Sequence, residues 1–184
     1  AAILATASLA TVLPAQAEGP TLAGNAGVFS QYVFRGLTQT NERTALQGGV
    51  DFTHPSGVYL GTWLSNVSWF SDTNAGTSNN LEWDLYGGYR HSLGADVTLD
   101  VGVLRYQYPG HYPGLSAGTV KPHTTELYAG LAWKWLTAKY SYAVSDTFGV
   151  EDSKGTDYLD LSASVPIAQG WSLLAHVGRQ GFSG

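Results

Sequence analysis

The ionisable residues of this chain recur at every second position of short apolar segments, and that spacing limits the chemistry open to them. In Leu81–Arg90, LEWDLYGGYR, the residues Glu82, Asp84 and Arg90 fall on one parity, while Leu81, Trp83, Leu85 and Tyr89 fall on the other. The polar parity of other segments adds Asp51, Asp96, Asp100, Glu126, Lys134, Lys139 and Asp160, with Arg35 toward one end of its own segment. Carboxylates spread over one face suit a water-filled passage biased toward cations, as rings of Asp and Glu do in pores. They equally suit a plugged interior in which Arg and Lys pair with the carboxylates. Both readings need a polar interior, and alternation alone serves either.

Catalytic readings find less support. His111 and His123 share one Pro/Gly-rich stretch with Tyr108, Tyr112 and Ser116. A catalytic base needs a partner within hydrogen-bond reach, and no spaced pair supplies one. The separation of the two histidines fits no recognised metal-ligand pattern. His54 and His91 sit at short turns, and His176 lies on the inward parity of its segment. No catalytic residue, metal or cofactor is assigned, and the chain is not expected to be an enzyme.

The elements that must position these residues read as strands. The chain has 184 residues, 12% charged and 12% aromatic, with 23 glycines and no cysteine. There is therefore no disulfide framework and no thiolate metal site. A net charge of −5, with nine scattered Lys and Arg, argues against nucleic acid as a partner. Residues 1–17, AAILATASLATVLPAQA, read as the remnant of a secretory signal ending in a small-x-small site, Ala15-Gln16-Ala17. The mature domain is expected over residues 18–184. No apolar run of about 18 residues follows, so any membrane is not crossed by a helix.

Period-two alternation predicts nine strands: Asn25–Arg35, Thr44–Thr53, Gly57–Asn66, Leu81–Arg90, Asp96–Val103, Glu126–Lys134, Thr137–Val144, Tyr158–Val165 and Trp171–Gln180. The facing of Gly57–Asn66 is ambiguous, because Tyr59 and Trp63 contest the apolar side with Val58, Leu60 and Leu64. Connections alternate short and long, as in an up-and-down meander with one dressed rim. Aromatics on the apolar parity gather at both strand ends: Phe52, Tyr89, Trp133 and Trp171 near short turns, and Tyr32, Phe34, Trp83 and Tyr142 near long loops. Such girdles mark the two interfaces of a transmembrane barrel. The expected fold is an all-β, antiparallel, up-and-down transmembrane β-barrel. Bacterial single-chain barrels have an even strand count. Nine visible strands and the absence of Met therefore predict a sequence truncated at both ends, with about 10–12 strands in all.

The segments NAGVFSQYVFRGLTQT, ALQGGVDFTHPSGVYLGTWLSNV, LEWDLYGGYR, DVGVLRYQYPG, TELYAGLAWKWLTAKYSYA and YLDLSASVPI resemble the TorF-type family of proteobacterial porins, also described as a family of unknown function (Gcw_chp). The resemblance runs through most of residues 24–180 and supplies no catalytic motif. It implies a barrel in the bacterial outer membrane that passes small hydrophilic solutes or ions. Its partners would be outer-membrane lipid, those solutes and, during biogenesis, the barrel-assembly machinery. Two alternatives stand beside it. One is a non-conducting barrel with a structural, receptor or adhesion role through its long loops. The other is a soluble barrel enclosing a small ligand, as lipocalins do.

Overall fold

A computed structural model describes residues 19–184; the segment read as a signal remnant, 1–17, lies outside the described residues. Nine long strands form one antiparallel sheet in chain order: β1 (Thr21–Phe29), β2 (Ala45–Thr53), β3 (Val58–Asn66), β4 (Leu81–Gly94), β5 (Val97–Gln107), β6 (Thr124–Trp133), β7 (Leu136–Ala143), β8 (Asp157–Ala168) and β9 (Trp171–Gly181). Each strand pairs with the next, and β1 and β9 are the two edges of the sheet. Connections alternate as the sequence predicts, with tight turns after β2, β4, β6 and β8 and long loops after β1, β3, β5 and β7.

The sheet is strongly curled. Tyr59 on β3 reaches Tyr128 on β6, three strands away, hydroxyl to hydroxyl. Arg35, just beyond β1, stacks 4.3 Å from the ring of Tyr158 on β8. Alternation then assigns one parity to the concave face and the other to the convex face. Leu46, Leu60, Val101, Leu131, Leu161 and Val177 line the convex side and are exposed. The facing of β3 is resolved as well. Tyr59 and Ser65 are buried on the concave side, and Val58, Leu60 and Leu64 point outward.

Several sequence expectations are corrected. The first strand ends at Phe29 instead of Arg35. The chain then turns inward into a two-residue ladder, Val33–Phe34 against Leu37–Thr38. Tyr32 and Phe34 accordingly leave the outward aromatic set: Tyr32 is 3% exposed, and Phe34 packs edge-on against Tyr106 and Phe148. Asp96 and Lys134 are not interior residues. Both have positive φ, 64° and 53°, in tight turns, and both are exposed at the short-turn rim. The turn after β4 lies at Ala95–Asp96 instead of 91–94. A non-glycine pair at positive φ matches the twist of the flanking strands, as hairpin turns of the primed types do. One short helix, Trp69–Thr73, interrupts the second long loop. Alternation could not reveal it, because five residues are too few to show a 3.6 period.

The inward glycines have a specific partner. Tyr59 stands opposite Gly88, Tyr86 opposite Gly61 and Tyr128 opposite Gly102 across the ladders. Tyr158 covers Gly178 diagonally. At each of these glycines a Cβ would collide with the tyrosine laid over it. The missing side chain lets the phenol lie along the wall, and the hydroxyls of Tyr59 and Tyr86 thereby reach carboxylates on a further strand. Gly130 differs, since its nearest neighbours would meet a Cβ at ordinary contact distances.

Gly61→Val should therefore displace the Tyr86 ring and destabilise the fold by about 1–3 kcal/mol, the usual cost of overpacking. Gly130→Ala should cost measurably less. Urea midpoints of the detergent-folded variants, followed by tryptophan fluorescence, check both; equal midpoints would refute the tyrosine-over-glycine account.

Candidate functional site: the polar concave face

Strand register arranges the inward ionisable residues in rows across the sheet. One row runs Arg90, Asp100, Gly130, Lys139, Asp160, Gly178 over β4 to β9. Its charges alternate in sign. Arg90 Nε donates to Asp100 Oδ2 at 3.1 Å, and its guanidinium lies 4.1 Å from the Tyr59 ring centroid. Lys139 stands directly across from Asp160 in register, with Nζ 4.1 Å from the Tyr128 ring. Asp160 Oδ2 lies 3.1 Å from His176 Nδ1. Water reaches this tier: the Arg90 and Asp100 side chains are 35% and 29% exposed. Above it, Tyr59 donates to Asp100 at 2.6 Å and Tyr86 donates to Asp51 at 2.6 Å.

Nearer the long loops the character changes. Glu82, Asp84 and Glu126 are all buried. Glu82 accepts from the hydroxyls of Tyr32 and Tyr108, both at 2.9 Å. Both phenols lie in loops. Burial first, and then the Glu82 charge, pushes them well above the ordinary tyrosine range, so they stay protonated and keep donating. Glu126 accepts from Arg35 Nη2 at 2.7 Å and from Tyr106 at 3.4 Å. Asp84 Oδ1 and Arg35 Nη1 are buried and have no hydrogen-bond partner among the described residues. Three carboxylates thus face a single guanidinium in a dry tier, roofed by an aromatic cluster around Tyr32, Phe34, Tyr106, Tyr108, Phe148 and Trp69.

Of the interior residues predicted from sequence, the structure places Arg35, Asp51, Glu82, Asp84, Arg90, Asp100, Glu126, Lys139 and Asp160 on the concave side. It places Asp96 and Lys134 at the rim. Phe52, Trp83, Trp133, Tyr142 and Trp171 lie exposed toward the strand ends, with Tyr140 an addition hydrogen-bonded to Asp157; Tyr89 is exposed too but stands within β4, opposite Val101. Alternation sets Tyr86, Tyr128 and Tyr158 on the inward parity, but the reach of Tyr59 and Tyr86 to carboxylates on further strands was not foreseen. The facing Tyr–Gly pairs lie across β3–β4 and β5–β6, strands joined by long loops, so their register could not be read from the length of a short turn.

His111 and His123 take different partners. His111 lies exposed in a two-residue ladder with Ser78. His123 Nδ1 accepts the Tyr108 backbone N–H at 3.1 Å. Among the described residues no group of three or more His, Cys, Asp or Glu is arranged to hold a metal ion. Burial first, then the charges of Arg105 and Lys121, lower the His123 pKa below the usual histidine value. The folded loop thus resists a proton that the unfolded chain accepts, and its stability is full above about pH 6.5 and falls as pH drops below it. Protection of the Tyr108 amide against hydrogen exchange should decline from pH 7 to 5. His123→Gln, which keeps an acceptor but does not titrate, should flatten that decline. A wild-type profile as flat as the variant's would contradict the assignment.

A family model described as "Bacterial protein of unknown function (Gcw_chp)" matches residues 14–184. No curated protein and no solved structure matches the chain significantly. With nearly its whole length covered, the all-β chain belongs to the Gcw_chp family of bacterial proteins of unknown function.

Proposed function

We propose that the chain forms a β-barrel in the bacterial outer membrane that admits small hydrophilic solutes or ions to a narrow acidic lumen, as its resemblance to TorF-type porins implies. The observation that carries this reading is the division of the two faces. Convex side chains such as Leu46, Leu60 and Leu131, each at least half exposed, would be costly in water and suit lipid. Water-accessible charges occupy the other face. Strands of 8 to 14 residues suit the 9–11 that a tilted strand needs to span a bilayer. In lipid no backbone group can stay unpaired, so the reading requires that the edges β1 and β9 be bonded to each other or to a further strand. Insertion of such a sheet is work for the barrel-assembly machinery.

Concave-face charge supplies the selectivity. Six carboxylates, Asp51, Glu82, Asp84, Asp100, Glu126 and Asp160, face three cations, Arg35, Arg90 and Lys139. The lower row is nearly neutral, and the excess is concentrated in the dry tier. A cation preference follows where water reaches that tier and ionises its carboxyls, set mainly by Glu82, Asp84 and Glu126.

One observation favours a second reading: the roofing of the lumen by long-loop aromatics suits a closed barrel that acts through those loops. Planar-bilayer recording separates the two. Steps of cation-selective current support passage, and currents that stay at baseline even when the aromatic roof is loosened by substitution refute it. Asp84→Asn should weaken cation preference more than Asp100→Asn, because Arg90 already offsets Asp100. The reverse order would mean that the dry tier lies off the path.

Val101, exposed near the middle of β5, tests the lipid-facing assignment. Val101→Lys should oppose insertion by about 2–4 kcal/mol if it lies at the bilayer midplane. Folding yield into vesicles, compared with Thr98→Lys on the concave face, measures it. Equal yields would invert the faces.

A further inference from the structure

We infer that the hairpin Val33–Thr38 is a plug, latched across the long-loop end of the lumen by Arg35, whose release from Glu126 opens that end. The inference rests on the passage reading for its consequence but on local geometry for the latch.

The hairpin turns at Arg35–Gly36, with φ of 47° and 84°. Gly36 takes such a conformation freely. Arg35 pays for it in strain, and a non-glycine residue held there marks a position that its surroundings over-determine. The surroundings are specific. The Arg35 side chain is 8% exposed and its ion pair with Glu126 is 2.7 Å long. Its guanidinium lies 4.8 Å from the Phe34 ring, 5.8 Å from Phe148 and 4.3 Å from Tyr158. A loop that follows the first strand is thus fastened to β6, β8 and the loop after β7. Phe34 completes the seal by packing against Tyr106 and Phe148, which also touch one another.

The tip, by contrast, is free. Gly36 and Leu37 are exposed, and no atom comes within 4 Å of a Cβ placed on Gly36. Only two residue pairs hold the hairpin's own ladder. The bond from Gln39 N–H to Tyr32 O closes its base, and its anchors on the far side of the sheet are the Arg35 ion pair and the packed Phe34 ring. Loss of the ion pair leaves Glu126 and Arg35 each with a buried, uncompensated charge, so the docked state loses more than a surface pair would. Water entering to solvate both groups favours the undocked hairpin.

The test uses the whole chain folded into lipid vesicles. Arg35→Gln and Glu126→Gln should each raise amide exchange across residues 33–38 at least about tenfold, while β6 and β8 keep their protection. Each should also raise potassium current per channel in planar bilayers. The double variant Arg35→Glu with Glu126→Arg should recover much of the exchange protection, which separates loss of the latch from loss of fold. Exchange at the wild-type rate in both single variants would overturn the latch. A loosened hairpin with currents still at baseline would uphold the latch and overturn the passage reading instead.

Discussion

The interior is organised by one steric allowance: a glycine across the ladder from a tyrosine. A side chain at Gly61, Gly88 or Gly102 would occupy the space where Tyr86, Tyr59 or Tyr128 lies. With the space vacant, each ring lies along the wall of the curled sheet, and its hydroxyl reaches a group on a further strand. Tyr86 thereby meets Asp51, and Tyr59 meets both Asp100 and Tyr128. The rings give back some of the apolar contact that a glycine strand lacks, and the hydroxyls supply donors to carboxylates that face away from bulk water. Curvature and polar satisfaction then come from the same few residues.

Charge is distributed by depth. In the lower row the alternation of Arg90, Asp100, Lys139 and Asp160 follows directly from register, so each charge has an opposite neighbour on an adjoining or next-but-one strand. These groups are partly hydrated and their mutual attraction is modest. The upper tier is different in kind. Glu82 and Glu126 are 1% and 2% exposed, and a buried ionised carboxylate is tolerated only when donors surround it. Tyr32, Tyr108 and Arg35 supply those donors, and all three come from loops. The loops are therefore bound to the sheet by the requirement to solvate its carboxylates, and the aromatic roof is positioned as a consequence.

Much of this was legible in the sequence because a strand's period is two. Alternation named the strands, chose the faces, and set Glu82, Asp84, Asp100 and Asp160 on one side. It failed where the chain is not periodic. Tyr32 and Phe34 continue the parity of the first strand on paper, but the chain leaves the sheet at Phe29 and folds inward. Asp96 and Lys134 also keep parity, yet Asp96 sits one step before its strand and Lys134 one step after, each in a turn of positive φ where parity carries no facing. Which carboxylate each tyrosine reaches was out of view for another reason. Those contacts span two or more strands, and the degree of curl that permits them is a property of the whole sheet.

On the proposed passage reading, the two tiers would impose different barriers on a solute. In the lower row, hydrated charges of alternating sign offer exchangeable hydrogen bonds, so a small ion or polar molecule meets little net field there. In the upper tier carboxyl groups outnumber the one guanidinium, but water is excluded and packed rings roof the tier. A cation would have to shed hydration that these carboxyls can replace only in part, since Tyr32 and Tyr108 already occupy the oxygens of Glu82 and Arg35 binds Glu126. The barrier is consequently one of desolvation and packing before it is one of charge. It can fall only if the loop side chains that solvate the carboxylates withdraw, at which point the same carboxylates become free to solvate an ion. Closing the roof and neutralising the acid tier are one event, carried by the same donors.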